Sequence, residues 1–455
     1  MHNKRSNLQN KLQSVRSRIS FLPKSDVLIQ CFNAHLSQML QVLDGYQTEE
    51  YLRHAGASVV SFAEETLFCQ SLLEMLKDEP DSDSLRIFIS NLINEISLSD
   101  GKHFSQHIPE ASWRARVIAF YLPQFHPIPE NDRWWGKGFT EWTNTGKAKP
   151  FFRGHYQPHV PADLGYYDLR VPEVRQAQAD LAKQYGIEAF CYWHYWFAGH
   201  RVLERPLNEV LQSGQPDFPF CMAWANETWT GIWHGAPDRI LIEQTYPGLE
   251  DYQAHFEALL PAFRDRRYLK VNGKLLFLIY VPADIPDAWQ FTQFWQELAH
   301  KAGLPAFHFV SVGVRNPEYF GCQSCVADSP FVEINAPAIE VEASSGVKQP
   351  IVHNYADLVS HLSNLCLAPN EYPLVIPNWD NTPRSGENGL VLHESSPELF
   401  RQMMSDAVSA VEKHPDYEQR IIFVKSWNEW AEGNHLEPDL RYGHAYLEAL
   451  RDAIS

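Results

Sequence analysis

Two glutamates three residues apart, Glu429 and Glu432, have the types and the spacing for acid–base catalysis. They follow an apolar run that begins at Ile421, where a strand would end. If the chain then forms a helical or tight turn, side chains at positions i and i+3 lie roughly 5–6 Å apart. Glycoside hydrolysis needs such a pair, one carboxyl group protonating the leaving oxygen and the other acting as base or nucleophile. The flanking Trp427 and Trp430 would raise the carboxyl pKa values by desolvation and stack on a sugar ring.

Aromatic side chains beside hydrogen-bonding groups recur after other apolar runs, and this combination suits the C–H faces and the hydroxyl rim of a sugar. The candidate sugar-binding residues are Tyr121, Gln124, Trp134, Trp135, Glu141, Trp142, Tyr192, His194, Trp196, Trp224, Asn226, Glu227, Trp379, Asp380, Trp427, Asn428 and Trp430. Core packing is the competing explanation for each of them alone, but their recurrence at five strand ends favours one pocket. For Glu432 the alternative is to cap the final helix or to pair with Arg441.

Alternation along a strand predicts which of these side chains share a face, since residues two apart point the same way. Lys425 lies in the apolar run I-I-F-V-K-S-W. On the helix-packed side it would be an unpaired buried charge, so we expect it to point into the barrel. Trp427 and Glu429 then face inward as well. By the same logic three further groups face inward together: His194 with Tyr192 and Trp196, Asn226 with Trp224, and Asp380 with Asn378.

Eight short apolar runs supply the strands that would position these side chains. They are 117–124, 187–196, 218–226, 275–281, 307–314, 326–333, 374–380 and 421–429. Amphipathic helical stretches lie between most of them, for example from Val171, Asp251 and Asp287. This pattern predicts an α/β fold, a (β/α)8 TIM barrel, in which catalytic groups come from the C-terminal ends of the strands. A doubly wound sheet is the alternative, but no G-x-G-x-x-G or Walker loop follows any strand.

The pattern of apolar residues in 1–112 differs from that in 113–455, and we predict two regions with that boundary. In the first region apolar residues recur at spacings of three and four, as in Leu8, Leu12 and Val15, which predicts an α-helical N-terminal region. Its first 24 residues carry six basic and no acidic side chains. They predict either a solvated helix face or a peripheral contact with a membrane surface or a partner.

The amino-acid composition limits which classes of partner and which cellular compartment we expect. The 455 residues include 38 Lys plus Arg and 56 Asp plus Glu, and a formal charge of −18 disfavours nucleic acid. No stretch has the pattern of a signal peptide or a transmembrane segment, so we expect a cytoplasmic protein. The seven Cys form no disulfide framework, and one C-x-x-C, Cys322 with Cys325, predicts no metal site. Asp81-Ser82-Asp83 follows no strand, which weakens it as a sugar-transferase motif. We expect no cofactor and no metal.

With these residues the chain resembles the WbsX-like proteins of bacterial surface-polysaccharide gene clusters, which are similar to glycoside hydrolase family 99. The resemblance runs from about residue 115 to residue 450 and is absent from the first 110 residues. The matching blocks are A-F-Y-L-P-Q-F-H-P-I-P-E-N-D from Ala119, W-W-G-K-G-F-T-E-W-T-N from Trp134, G-H-Y-Q-P-H from Gly154, D-F-P-F-C-M-A-W-A-N-E from Asp217 and S-W-N-E-W-A-E-G-N-H-L-E-P from Ser426.

Family 99 enzymes carry two catalytic glutamates in N-E-W-x-E-G, so the resemblance implies that Glu429 and Glu432 are catalytic. It implies a retaining endo-acting hydrolase or transglycosidase on a polysaccharide or its oligosaccharide precursor. In that mechanism Glu429 deprotonates the sugar 2-hydroxyl to form a 1,2-anhydro sugar. Glu432 is acid to the leaving group and then base to water.

The resemblance leaves other functions open and has one gap. WbsX-like members are often described as glycosyltransferases, so transfer from a nucleotide sugar is an alternative, and a non-catalytic glycan-binding barrel is another. The family commonly has two Arg between the Trp residues after W-A-N-E-N. The segment Trp229-Thr-Gly-Ile-Trp233 has none, which removes that contact with an anionic sugar.

Overall fold

The computed structural model describes residues 113–231, 236–326, 338–341, 348–363 and 367–455, without the side chains of 236–238 and 361–363. The helical region predicted for residues 1–112, its basic N-terminus and the D-x-D motif lie outside the described residues. The boundary at residue 112 therefore stays a prediction. Among the described residues, no helix is both long and apolar enough to cross a membrane.

Eight parallel strands form the centre of the fold. They are β1 (Arg116–Tyr121), β2 (Ile187–Phe197), β3 (Phe220–Trp224), β4 (Lys274–Ile279), β5 (Phe307–Val312), β6 (Ser324–Val326), β7 (Glu371–Tyr372 with Leu374–Val375) and β8 (Ile421–Val424). Each pairs with its neighbours in chain order, and β1 also pairs with β8. All eight coincide with or overlap the runs predicted from the sequence, so the predicted barrel is confirmed.

The barrel closes through β7. Its first half, Glu371–Tyr372, pairs with β6, and its second half, Leu374–Val375, pairs with β8. Between the halves, Pro373 has no N–H to donate, but its carbonyl oxygen accepts a hydrogen bond from the Phe423 N–H at 3.0 Å. One stretch of chain therefore joins both edges of the sheet, and the strands form a ring.

Ten α-helices lie in the described part of the chain. They are α1 (Pro129–Trp135), α2 (Glu141–Lys147), α3 (Pro172–Gln184), α4 (Arg205–Ser213), α5 (Leu249–Phe263), α6 (Ala288–Lys301), α7 (Tyr355–Ser363), α8 (Thr382–Ser385), α9 (Pro397–Val411) and α10 (Ala445–Ile454). Two of the longer ones, α6 and α9, begin after a residue whose side chain accepts a backbone N–H of the first turn. For α6, Asp287 accepts the N–H of Gln290 at the start, and His300 and Lys301 lie in the last turn, next to the negative end of the helix dipole.

Short elements complete the described structure. The remaining strands are His200–Val202, Trp229–Gly231, Ala236–Ile242, Lys270–Val271, Ile351–Asn354, Leu390–His393, Asn428–Glu429 and Asn434–His435. The 3₁₀ turns are Pro282–Asp284, Pro317–Phe320, Gly386–Asn388, Tyr417–Gln419 and Trp430–Glu432. The helices α1 and α2 follow β1, α8 follows β7, and the hairpin of Asn428–Glu429 with Asn434–His435 follows β8. These insertions at the C-terminal end of the barrel supply most of the groups described next.

Candidate active site

A cleft of about 460 Å³ opens beyond the C-terminal ends of the barrel strands. Glu429 and Glu432 both line it. The other residues that line it are Leu122, Gln124, Asn131, Trp135, Phe139, Glu141, Asn144, Trp193, Tyr195, Ala225, Glu227, Thr228, Trp229, Thr230, Leu241, Tyr280, Trp379, Arg384 and Lys425. Carboxyl groups, two basic groups and several indole rings therefore share one cleft.

A guanidinium group joins three of the carboxyl groups of this cleft. Arg384 Nε donates to Glu141 Oε2 at 3.0 Å, and both terminal nitrogens of Arg384 lie 3.4 Å from Glu429 Oε1. One of these nitrogens, Nη1, also donates to Glu432 Oε1. Because Nη1 contacts both glutamates within 3.4 Å, their Oε1 atoms are at most 2 × 3.4 Å = 6.8 Å apart. The two carboxyl groups can therefore reach the same bond of a ligand.

The environment makes the two glutamates unequal acids. Burial, followed by the charge of Glu429, raises the pKa of Glu432 to about 8. Burial also raises the pKa of Glu429, although Arg384 and then Lys425 oppose this shift. The cleft holds four carboxyl groups, those of Glu141, Glu227, Glu429 and Glu432, against the two basic groups of Arg384 and Lys425. With a pKa of about 8, Glu432 is protonated at neutral pH and reduces this excess of negative charge.

Arg384 reaches the glutamates because the chain after β7 is tied to the chain after β8. The Asp380 N–H donates to the Glu432 carbonyl oxygen at 2.6 Å. The Asp380 carboxylate accepts the N–H and the hydroxyl of Thr382, the first residue of α8. The same carboxylate accepts hydrogen bonds from His155 and Gln157 at 2.7 and 2.6 Å. Asp380 therefore anchors the helix that carries Arg384.

The hairpin after β8 has no room for a side chain at its turn. Gly433 has φ +60°, and a Cβ there would lie 3.1 Å from the Cβ of Asp380. At the other side of the hairpin, the Asn428 amide accepts the Leu122 N–H at 2.8 Å and donates to the Leu122 carbonyl oxygen at 3.0 Å. These contacts hold the segment with both glutamates against the loop that follows β1.

Some of the predicted site residues line the cleft and others pack elsewhere. Those in the cleft are Gln124, Trp135, Glu141, Glu227, Trp379, Glu429 and Glu432. Those outside its lining are Tyr121, Trp134, Trp142, Tyr192, His194, Trp196, Trp224, Asn226, Asp380, Trp427, Asn428 and Trp430. Lys425 lines the cleft, as its charge predicts.

The alternation along β2 has the opposite phase to the predicted one. Trp193 and Tyr195 line the cleft, whereas His194 packs against α5, with its Nε2 2.8 Å from Nε2 of His255. Trp196 stacks on the same His255 ring at 4.8 Å. Every residue from 192 to 197 is aromatic, so the run has no lone charge to mark the inner face. Lys425 indicates which side chains face the cleft only in its own apolar run, and it gives no such information for β2.

The same outward packing places the side chain of Trp224 on the helix side of β3, 5.4 Å from the Phe291 ring of α6. The adjacent Asn226 binds the Tyr246 hydroxyl and the backbone of Val281. Tyr121 donates to Gln178 of α3. These side chains support the barrel wall from outside.

The two tryptophans that flank the glutamates are part of the core. Trp427 is fully buried, and its ring lies 5.1 Å from that of Phe190. Trp430 donates its indole N–H to Glu437 at 2.6 Å and stacks on His435 at 3.7 Å. The chain has left the strand after Val424, so strict alternation no longer applies to them. They support the hairpin and do not line the cleft.

Four other predicted residues have supporting positions. Trp134 contacts Trp229 edge-on at 5.9 Å, which places it behind a wall of the cleft. Trp142 donates to the Tyr167 carbonyl oxygen at 2.7 Å and packs on Trp430. Asn428 and Asp380 make the backbone contacts described above. All four therefore position residues of the cleft from outside.

Sequence reasoning missed several groups of the cleft, among them Arg384, Trp193, Tyr195, Trp229 and Asn144. Arg384 lies four residues after Asp380, in T-P-R-S, where Pro383 sits in the first turn of α8. That proline just inside a helix start is a usable signal, and it would have extended the search beyond the strand end.

A second cavity of about 400 Å³ lies on the other side of the turn that carries Glu432, because Gly433 lines it. Its lining includes His159, His435 and Asp439, as well as His155 and Asp380. Burial, followed by the neighbouring His435, lowers the pKa of His159 to about 3. Burial also lowers the pKa of His435. Both rings are therefore neutral at pH 7.

Comparison with known proteins identifies relatives along the barrel. Two curated relatives, each described as uncharacterized protein WxcX, come from Xanthomonas campestris pv. campestris strains B100 and ATCC 33913. Both are 38% identical, over 351 and 353 residues, which is 75% of this chain and 50% of theirs. The chain thus spans about half the length of the curated relatives it matches.

Solved structures with a similar chain trace include glycoside hydrolases. One, described as a glycoside hydrolase-like protein, has a TM-score of 0.47 and 13% identity, covering 75% of this chain and 94% of its own. A GH99 endo-α-mannosidase from Bacteroides thetaiotaomicron has a TM-score of 0.44 and 15% identity, covering 74% and 96%. A family model described as Glycosyltransferase WbsX matches residues 117–450, well over half of the sequence. The chain therefore belongs to the WbsX family.

Proposed function

We propose that this protein is a carbohydrate-active enzyme that cleaves or transfers glycosidic bonds of a bacterial surface polysaccharide or its oligosaccharide precursor. The observation that carries the proposal is the shared contact of Glu429 and Glu432 with Arg384 inside an aromatic cleft. Cleavage of a glycosidic bond commonly uses two carboxyl groups that both reach that bond.

The unequal acidities assign the roles. Glu432, with a pKa of about 8, is protonated at neutral pH and supplies the proton to the leaving oxygen. The Glu429 carboxylate is favoured by Arg384 and Lys425, so it is the base of the pair. Enzymes commonly assign the acid and base roles in this way, because different environments give two neighbouring carboxyl groups different pKa values.

The reaction proceeds by the route that the family 99 resemblance implies. Glu429 accepts the proton of the sugar 2-hydroxyl, and the resulting oxygen attacks C1 as the bond from C1 to the leaving oxygen breaks. The proton of Glu432 goes to that leaving oxygen. Glu432, now a carboxylate, then takes a proton from water, or from an acceptor hydroxyl, which opens the 1,2-anhydro ring at C1 while Glu429 returns its proton.

The aromatic residues suit a sugar ligand. Trp135, Trp193, Trp229 and Trp379 line the cleft and are only partly buried, so parts of their rings are accessible. Gln124, Asn131 and Asn144 add hydrogen-bonding groups between the rings. Flat rings for C–H faces and amides for hydroxyls are the two contacts that a pyranose offers.

Transfer from a nucleotide sugar is the second candidate, because the matching family model is described as a glycosyltransferase. Mass spectrometry distinguishes the two. Wild-type protein would be incubated with a panel of bacterial polysaccharides and, separately, with nucleotide sugars and acceptors. We expect shortened or rearranged glycans without nucleotide release. Nucleotide release that tracks the product would establish transfer instead, and binding without turnover would establish a glycan-binding protein.

The isosteric variant Glu432→Gln tests the assignment of the acid. We expect it to reduce turnover of ordinary glycosides by at least about 100-fold, as for the loss of a general acid. Substrates with activated leaving groups need less protonation and should lose much less. Near-UV circular dichroism would check that the variant is folded. An equal loss on both substrate types would contradict the acid role.

A further inference from the structure

Three metal-ligating side chains converge at the second cavity. They are His159, His435 and Asp439, with exposed fractions of 3%, 7% and 4%. One ligating atom from each lies within 4.8 Å of the other two. Imidazole nitrogen and carboxylate oxygen are a common ligand combination for Zn²⁺ and for other divalent transition-metal ions.

The hydrogen bonds around His435 fix which nitrogen can bind a metal. Its Nδ1 lies 2.9 Å from the carbonyl oxygen of Glu437. A carbonyl oxygen only accepts, so Nδ1 carries the hydrogen and Nε2 of the neutral ring presents a lone pair to the cluster. A backbone carbonyl that holds the remote nitrogen in this way is the usual support of a metal-binding histidine.

The other two side chains are also oriented toward the cluster. Nδ1 of His159 lies 2.9 Å from Nε2 of His435. Asp439 accepts the backbone N–H groups of Arg441 and Tyr442 with Oδ1. This leaves Oδ2 3.9 Å from Nε2 of His435, beyond hydrogen-bond distance. The ligating atoms of all three side chains therefore lie within 4.8 Å of one another at the wall of the second cavity.

We propose that His159, His435 and Asp439 bind a divalent transition-metal ion of the Zn²⁺ type, with an open coordination position on the side of the second cavity. Tetrahedral coordination with bonds of roughly 2.0–2.2 Å needs ligand atoms a little more than 3 Å apart. The nitrogen pair therefore separates slightly, and Oδ2 of Asp439 moves closer. The cavity of about 400 Å³ provides the access route for the ion.

The proton balance closes within one ring. Without the ion, Nδ1 of His159 donates its hydrogen to Nε2 of His435. When the ion takes the place of this hydrogen bond, the hydrogen moves to Nε2 of His159, which has no hydrogen-bond partner among the described residues. His159 changes tautomer, and no ligand of this site loses a net proton.

The ion would strengthen the hairpin that carries the candidate catalytic pair. His435 lies in the strand that pairs with Asn428–Glu429, and its ring stacks on Trp430. The metal site goes beyond the proposed function and does not depend on it, because binding is measured without any substrate.

The test uses the full chain, freed of metal with a chelator and titrated with Zn²⁺ in a calorimeter. We expect about one ion per chain from a three-ligand site. Titration with Co²⁺ should produce the visible absorption of a tetrahedral site without a near-ultraviolet thiolate band. That spectrum separates this site from binding at the seven cysteines.

Two variants and one control complete the test. Asp439→Asn keeps an oxygen for the two backbone N–H groups and removes the charge, and His435→Ala removes a ligand. We expect each to weaken Zn²⁺ binding by more than the roughly 10–100-fold that loss of a ligand's supporting partner causes. His393→Ala removes an imidazole from the same cavity outside the cluster and should bind as wild type does. Wild-type affinity in Asp439→Asn, a thiolate spectrum, or no binding by the wild type would overturn the proposal.

Discussion

Glu432 shows how a single side chain acquires its chemistry from its neighbours. An exposed glutamate is ionised at pH 7, but burial and the adjacent Glu429 raise the pKa of Glu432 to about 8. Arg384 contacts both carboxyl groups and Glu141, so it limits the repulsion among them. The acidity of Glu432 is therefore a property of at least four residues.

The pKa of Glu432 predicts a loss of activity in alkali. Only the protonated form can act as the acid, so kcat/KM should fall as pH rises through about 8. Since the folded state holds a proton that the unfolded state releases near pH 4.5, the free energy of unfolding should also fall as pH rises between these values. Profiles of kcat/KM and of denaturant unfolding check both. An alkaline decline that persists in Glu432→Gln would contradict the assignment.

Arg384 should determine the position of the whole pH profile. In Arg384→Met the nearest positive charge is lost, so the pKa values of Glu429 and Glu432 rise and both limbs of the profile move to higher pH. We also expect unfolding free energy to fall by about 3–5 kcal/mol, because buried carboxylates lose their partner. Arg384→Lys keeps the charge and is the control, with a smaller shift. An unchanged profile in Arg384→Met would show that the guanidinium does not tune the pair.

At the scale of elements, alternation along β2 separates side chains that line the cleft from side chains that pack on the helices. Trp193 lines the cleft and stacks on Phe120 at 4.7 Å, whereas Trp196 donates to Asp251 and packs on α5. Two tryptophans three positions apart therefore lie in different environments, one in the cleft and one against a helix.

The matched variants Trp193→Ala and Trp196→Ala test this division. The first should weaken binding of a glycan that the wild type cleaves by roughly 1–2 kcal/mol, the scale of an aromatic contact. The second should leave the affinity of the folded protein unchanged but lower its free energy of unfolding by about 3–5 kcal/mol. Calorimetric titration and denaturant unfolding measure the two quantities. The reverse assignment of effects would restore the phase predicted from the sequence.

At the scale of the molecule, the residues just before β1 and at its start make a set of contacts at the N-terminal end of the barrel. The Arg114 N–H donates to the Ile454 carbonyl oxygen at 2.8 Å, and its guanidinium pairs with Glu412. Arg116 is 5% exposed and pairs with Glu188 and Glu418. These contacts join the start of the barrel to the last helix, to β2 and to the 3₁₀ turn that precedes β8.

We therefore expect residues 113–455 to fold and to keep the wild-type kcat/KM, as the predicted boundary at residue 112 requires. A fragment that begins at residue 118 loses Arg114 and Arg116, leaves Glu188 without its buried partner, and should not fold cooperatively. Circular dichroism during denaturant unfolding compares the two fragments. Failure of the longer fragment to fold would place the boundary elsewhere.

Much of the fold could be predicted because its signals are local. The apolar runs that became β2 and β5 start at the predicted residues, 187 and 307, since a buried parallel strand is a short continuous apolar stretch. The spacing of Glu429 and Glu432 is equally local. The position of β6 was predicted less well. The predicted run began at Val326, which is the last residue of the observed strand.

Chain order and residue chemistry alone thus predict the eight strands, the family and the spacing of the two glutamates, because each signal depends on neighbours within a few positions. Folding in three dimensions selected Trp193 over His194 for the cleft, brought Arg384 to the glutamates from the helix that follows β7, and assembled His159 with His435 and Asp439. These contacts join residues as many as 276 positions apart, and their formation depends on how the ring of strands closes. No periodicity along the chain encodes that closure.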